Sequence, residues 1–229
     1  MPSTFAWIVD GGAFVAETTS SAALASLARI LSADERARLQ AFLRPQRACE
    51  FLLGRLLLRH ALMAVCDCAL DDIEVKERRG AAPLVMVAGQ LADGIDHPAA
   101  SLSHSRGWIA CALGVVAQVG VDIEVPAQER DLQSLADLAF TSEELVWLTQ
   151  QSPEQQQAAF YRLWCANEAD YKYRHNASLT RTPVAAQATP YLHHEHDPHY
   201  HLCLCSPTRP RRHQSTRVGL ESLLELTCS

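Results

Sequence analysis

The chain predicts an α+β fold built as two successive halves, each with helices and a small, largely antiparallel sheet. Two patterns carry this expectation. Short runs with apolar residues at every second position, bounded by Gly, Pro and Ser, mark strands. Between them lie segments with apolar residues at helical spacing, two of them opened by a Ser-x-x-Glu or Thr-x-x-Glu capping box. With 229 residues, 48% hydrophobic and 20% charged, the chain can bury one large core or two modest ones.

A first strand is expected over residues 6–9. Ser32 and Glu35 form a capping box for a helix over 33–42. Pro45 interrupts it, and a longer helix follows over 47–66. Strands are expected at 73–77, 84–87, 101–103 and 109–113, with Gly94 and Pro98 marking the loop before residue 101. The second half begins near residue 115, which gives half-domains 1–114 and 115–229. Its first strand, 119–124, leads to a helix over 142–149 with Thr141 and Glu144 as its capping box. Ser152 then opens a helix with Pro153 at its first position, running to about residue 174. The tail gives short strands around 200–205 and 219–225.

A net charge of −6 does not favour nucleic acid as a partner. The longest nearly apolar run, 108–123, contains Gln118 and Asp122 and is too short and polar to span a bilayer, so no membrane partner is expected. No basic n-region stands at the N-terminus, and Asp10 interrupts the apolar stretch there, which implies a cytoplasmic protein. The eight cysteines lie mostly inside apolar segments, as reduced thiols do, and no disulfide is expected. Cys66-x-Cys68 and Cys203-x-Cys205 lack the spacing of a structural zinc site. His193, His194, His196, His199 and His201 fall between Pro190 and Pro207 and read as a solvated loop, not a zinc site.

Two segments carry candidate chemistry. In Gly120-Val121-Asp122-Ile123-Glu124 the strand period puts Asp122 and Glu124 on one face, with Val119, Val121 and Ile123 on the other. In Trp164-Cys165-Ala166-Asn167-Glu168-Ala169-Asp170-Tyr171-Lys172, Glu168 and Lys172 lie one helical turn apart. Three carboxylates that can converge beside an amine suit Mg²⁺, which is held by one or two carboxylates together with substrate phosphates and water. Taken singly, each segment also fits a structural role: acidic strand pairs are commonly solvated, and a helical Glu–Lys pair contributes only ~0.3–0.5 kcal/mol.

Taken together and in this order, the two segments resemble the signature motifs of the surfactin-type 4′-phosphopantetheinyl transferases, a Gly-Val-Asp-Ile-Glu strand followed by a Trp-x-x-Lys-Glu-x-x-x-Lys helix. The first is matched throughout; the second departs at Asn167, where the family has a lysine. Ser101-Leu102-Ser103-His104-Ser105 with Gly107 and Trp108 is similar to the family's Asn-hydrophobic-Ser-His-Ser segment, and residues 51–59 to its upstream helix. Gly80-Ala81-Ala82-Pro83 stands at the family's Gly-Lys-Pro loop but lacks the lysine. The likeness runs from about residue 32 to about 204.

The resemblance implies a pseudo-dimer of two similar α+β halves in one monomeric chain, with the active site between them. It implies transfer of the 4′-phosphopantetheine arm of coenzyme A to a serine of an apo acyl or peptidyl carrier protein, with Mg²⁺ as cofactor and 3′,5′-ADP released. Fatty-acid, polyketide and non-ribosomal peptide carriers all remain open. Asp122, Glu124 and Glu168 correspond to the metal ligands, and Glu168 with Lys172 to the catalytic helix pair, Lys172 handling the serine proton. The resemblance also places Asp122 among the residues that bind coenzyme A. His104 and Ser103 correspond to residues that meet the nucleotide 3′-phosphate, and Arg44 and Arg47 to basic contacts for coenzyme A phosphates. Arg55 and Arg59 share a helix face and are expected at the interface between halves or in solvent. Arg78, Arg79, Arg174 and His175 are candidates to replace the missing lysine charge. The rival of a different class is a carrier-binding or regulatory protein that kept the fold and lost turnover.

Overall fold

The computed structural model describes residues 4–17, 21–78, 80–88, 98–114, 118–127, 129–177, 189–209 and 215–227. The chain opens with β1 (Thr4–Asp10), α1 (Gly12–Glu17), α2 (Ser21–Leu27) and α3 (Ala33–Gln40). The long α4 (Pro45–Cys66) leads to β2 (Ile73–Lys76), β3 (Leu84–Val87), β4 (Ala99–Ser105) and β5 (Trp108–Gly114). The second half carries β6 (Gly120–Glu124), α5 (Leu132–Ala139), α6 (Ser142–Thr149), α7 (Pro153–Ala177), β7 (Tyr191–Asp197) and β8 (Tyr200–Ser206). β9 (Thr216–Arg217) and α8 (Leu220–Glu225) end it.

The α+β architecture is the one the sequence predicts. Among the described residues the strands form sheets in the orders β4-β5-β1-β9 and β6-β8-β7, with β2 and β3 as a separate hairpin. The two larger sheets stack face to face: Ile8, Trp108, Ala110 and Ala112 meet Val121, Ile123, Leu202 and Leu204 in one apolar cluster. The far face of the first sheet, with Val9, Ile109, Cys111 and Leu113, packs on α4. The far face of the second presents Cys203 and Cys205 to Cys165, Ala169 and Tyr173 of α7. The layers therefore run helix, sheet, sheet, helix. β5 is buried at every position because both of its faces are covered.

Both capping boxes form. Ser32 Oγ accepts from Glu35 N at 3.2 Å while Glu35 Oε2 accepts from Ser32 N at 2.8 Å, and Thr141 and Glu144 do the same at 3.3 and 2.8 Å. Pro45 does not merely interrupt a helix but opens α4, where its missing N–H has no partner to lose. α1, α2, α5, β7 and β9 were not anticipated by the periodicity.

The tail departs from expectation in three ways. The histidine segment is not a solvated loop but the hairpin β7–β8, in which His194 pairs with Cys203 and His196 with His201. Residues 220–225 form a helix, not a strand, because Leu220, Leu223 and Leu224 fall at helical spacing and pack on the α4 core. The end of the chain also leaves the second half: β9 pairs in parallel with β1, Trp7 opposite Thr216 and Ile8 opposite Arg217. The division at residues 114 and 115 is thus crossed by the last strand and helix, which complete the first sheet and its core. Gly94, residues 115–117, Arg79 and Cys228 lie outside the described residues; seven of the eight cysteines are described, and all seven are free thiols. No helix among the described residues is long and apolar enough to cross a membrane.

Arg55 and Arg59 lie neither at the interface between halves nor in solvent. Both are buried inside the first half, where Glu35 receives them. Arg59 donates to both Glu35 oxygens, at 3.1 and 2.6 Å, while Arg55 Nε lies 3.3 Å from Glu35 and 2.9 Å from Glu77. One carboxylate thus caps α3 and neutralises two arginines of α4. Removing a partner from a buried pair leaves an uncompensated charge, so we expect Glu35→Ala to lose about 3–5 kcal/mol in urea unfolding. The exposed pair Lys76–Glu74 provides the contrast, and its disruption should change stability by less than about 1 kcal/mol.

Candidate active site

The candidate residues meet at the seam between β4 and β6, neighbouring strands that belong to different sheets. Side chains, not a backbone ladder, join them. Ser101, Ser103 and Ser105 stand at every second position of β4 and so share a face. Ser101 Oγ accepts from Val121 N at 3.0 Å, and Ser103 Oγ donates to Asp122 Oδ1 at 2.7 Å. Ser105 Oγ donates to Glu124 Oε2 at 2.8 Å and accepts from Val125 N at 3.1 Å. Buried Asn176 of α7 closes the far end, donating to Ala100 O and Val119 O at 3.4 and 3.3 Å.

Helix α7 lies directly on β6 because residue 120 is glycine. A Cβ there would run into the Ala169 carbonyl oxygen and stand 2.7 Å from Tyr173 N. This close seat brings Lys172 over the strand. Its Nζ donates to Asp122 Oδ1 at 2.7 Å, to Ser103 Oγ at 3.1 Å and to Val121 O at 3.1 Å. Three acceptors use the full donor complement of an ammonium. Asp122 Oδ2, by contrast, is buried and has no hydrogen-bond partner. Burial keeps the nearby Cys165 thiol protonated, with Asp122 and Glu124 adding to the effect, and a neutral S–H is only a weak donor. Asp122 therefore keeps one oxygen for a stronger ligand.

Glu124 follows on the same face, held at Oε2 by Ser105 and by Arg130 at 3.3 Å. Burial raises its pKa above the usual carboxylate value, with Ser105 pulling the other way. Glu168 sits half-buried one turn before Lys172 and bonds to no described residue. The three carboxylates do not make a closed cage, since no group of three or more His, Cys, Asp or Glu side chains among the described residues could hold a metal by itself.

Beside Lys172 lies a cationic corner. Arg47 of α4 places its guanidinium against the His104 imidazole, NH1 2.6 Å from Nδ1. Burial first, and the Arg47 charge second, lower the His104 pKa to about 4, so the ring is neutral at pH 7. Glu50 Oε2 lies 2.9 Å from Arg47 NH1 and 3.3 Å from His104 Nδ1. Ser103, Asp122 and Lys172 are thus joined directly, and His104 lies within electrostatic reach of Lys172 and Asp122. Arg44 is not part of this group: it is exposed at the N-cap of α4, and its side chain bonds to no described residue.

Other candidates are engaged elsewhere. Asn167 is exposed and donates to Glu144 Oε1 of α6 at 3.0 Å, so that position faces an acidic helix start. Arg174 pairs with Asp170 at 2.6 Å, and Arg78 donates to Ala82 O at 2.8 Å. Phe160 and Trp164 pack with Phe140 in an aromatic core, as their helical spacing predicts. Among the histidines, His201 stacks on Tyr161 and lies 4.6 Å from the His196 ring.

Comparison with known proteins bears first on β6 and α7, one side of this seam. Residues 118–218 match the family model of the 4′-phosphopantetheinyl transferase superfamily. The 4′-phosphopantetheinyl transferase HetI of Nostoc sp. is 31% identical over 65% of this chain and 61% of its own length. AcpT of Salmonella typhimurium is 33% identical over 56% of the chain and 59% of its own. The transferase gsp of Aneurinibacillus migulanus is 30% identical over 58% and 52%. The chain therefore spans roughly half to three-fifths of the length of these relatives.

Sequence reasoning missed Glu50, Ser105 and Arg130. Glu50 had a local signal, since it lies three residues after Arg47 in a segment read as helical. Ser105 had one in the period-two serines. Arg130 had none: it reaches Glu124 from a loop.

The buried histidines give the fold a signed response to acid. Burial lowers His104, His194 and His201 from 6.5 to about 4, with neighbouring His196 adding at His201. The unfolded chain takes up these protons below about pH 6.5 and the native chain only near pH 4, so stability is lost across that window as pH falls. The melting temperature should be several degrees lower at pH 5 than at pH 7 at constant ionic strength. His201→Gln should flatten the slope; an unchanged slope would remove His201 from this account.

Proposed function

We propose that this protein transfers the 4′-phosphopantetheine arm of coenzyme A to a serine hydroxyl of an apo acyl or peptidyl carrier protein, as a transferase of the surfactin type. The observation that carries this reading is the seam itself. A strand carboxylate with one open, buried oxygen lies against a helix lysine, with a serine, a histidine and an arginine beside it. That arrangement suits a pyrophosphate ester, whose charge must be neutralised and whose reacting atoms must be held in line.

The donor set fits a hard divalent ion. Asp122 offers Oδ2, Glu124 stands on the same face, and Glu168 is uncommitted on α7. Mg²⁺ takes one or two carboxylates and completes its shell with phosphate oxygens and water, so a closed protein cage is not required. When bound, such an ion supplies Lewis-acid neutralisation of pyrophosphate charge. The remaining work falls to the chain. Arg47 and His104 hold the nucleotide phosphate, His104 as a neutral donor and Arg47 as the charge. Lys172 and Ser103 fix the rotamer of Asp122. As the serine oxygen bonds to the β-phosphorus, the bond to the 3′,5′-ADP leaving group breaks. The serine proton passes to a base, a role open to Lys172 once it has lost its own proton.

The test is a mass measurement. With coenzyme A and Mg²⁺, the chain should add one phosphopantetheine to an apo carrier, chelation should stop the reaction, and restored Mg²⁺ should revive it. Asp122→Asn keeps the shape of the residue but removes its charge, and should lower the rate by about 10²-fold or more with an unchanged circular dichroism spectrum. Normal loading by that variant would sink the assignment of Asp122. Carrier binding without any mass change would favour the regulatory reading.

A further inference from the structure

We propose that Glu50 is the positioning residue of the cationic corner, a buried carboxylate that fixes Arg47 and His104 so that both address one phosphate of the nucleotide. The proposal rests on the reading of coenzyme A as the donor. Glu50 is 3% exposed and sits on the most buried stretch of α4, beside Cys49 and Leu53. A carboxylate there is costly unless each oxygen finds partners. Oε2 receives Arg47 NH1 at 2.9 Å and lies 3.3 Å from His104 Nδ1. Oε1 accepts from the backbone N–H of Gly107 at 3.1 Å and from Gln46 at 3.4 Å.

The Gly107 bond gives the carboxylate its reach. Arg106 and Gly107 form the turn between β4 and β5 with φ of +48° and +87°, and Gly107 accepts this without strain. One side chain on α4 thereby ties the helix to the end of the strand that carries Ser103 and His104. The Arg47 and His104 side chains are 41% and 35% exposed, so Glu50 grips them from the buried side and leaves their outer sides open to a ligand. A purely structural ion pair would have no reason to take a half-exposed histidine as a third member. Without Glu50, Arg47 is free to swing into solvent and the imidazole loses the group that sets its ring orientation.

The test uses the full chain with Glu50→Gln and Glu50→Ala, and separates positioning from folding. Binding of adenosine 3′,5′-bisphosphate by calorimetry should weaken about tenfold in Glu50→Ala, a difference of ~1.4 kcal/mol. Glu50→Gln, which can still accept from Gly107, should fall between. The ratio of kcat/KM for coenzyme A to that for 3′-dephospho-coenzyme A should drop by about the same tenfold factor. A structural lesion would instead depress both donors alike and leave the ratio unchanged, which would overturn the proposal. Unaltered bisphosphate binding in both variants would overturn it too, as would a wild-type chain that does not bind the bisphosphate. Should Glu50→Ala fail to fold, Glu50→Gln alone decides through the same two readouts. If the wild type binds the bisphosphate but loads no carrier, the transferase reading fails while the calorimetry still judges Glu50.

Discussion

The close seat of α7 on β6 at Gly120 is the constraint on which the site depends. A strand and a helix normally keep a side chain's distance; here the missing Cβ lets the helix backbone touch the strand. That contact sets how far Lys172 must reach, and it reaches three acceptors at once. Two of them, Val121 and Asp122, lie on β6 and the third, Ser103, on β4. The lysine therefore stitches both sheets to the helix, and the geometry at Asp122 reports the packing of the whole second half.

Two buried carboxylates show how the same chemistry is put to different uses. Glu35 has both oxygens engaged by arginines and by the Ser32 N–H, and nothing about it is left open. Asp122 has one oxygen held by Ser103 and Lys172 and the other without a partner. A buried acceptor without a partner is costly, so Asp122 Oδ2 is the observation on which the proposed function leans. Glu50 stands between these cases: fully engaged itself, it engages partners that are still half exposed.

The elements that were legible in the sequence are those fixed by local chemistry. Both capping boxes, α6 to the residue and the strand of Asp122 and Glu124 follow from nearest-neighbour patterns. The histidine hairpin was not legible, because five histidines within nine residues hide an alternation that appears only when His196 is set opposite His201. The burial of Arg55 and Arg59 was equally hidden, since their partner Glu35 lies more than a helix away in sequence. The return of β9 to β1 could not be read from two residues of strand. At the site, strand period put Asp122 and Glu124 on one face and the helical turn put Glu168 beside Lys172, but periodicity within each segment could not show that Lys172 meets Asp122 or that Asn167 faces Glu144. A helix turns 100° per residue, so the neighbour of a site residue addresses a different part of the molecule.

Lys172 and Asp122 constrain each other. With Asp122, Ser103 and Val121 O around it, Nζ is committed as a donor three times over. An amine so held stabilises negative charge and cannot at the same moment accept a proton. For Lys172 to take up a proton it would first have to give one up and leave one of these three acceptors. Asp122 Oδ2 is the buried oxygen of this carboxylate that has no hydrogen-bond partner. The ion pair and the unpartnered oxygen thus belong to one carboxylate: the lysine orients Asp122 through Oδ1 and leaves Oδ2 uncommitted.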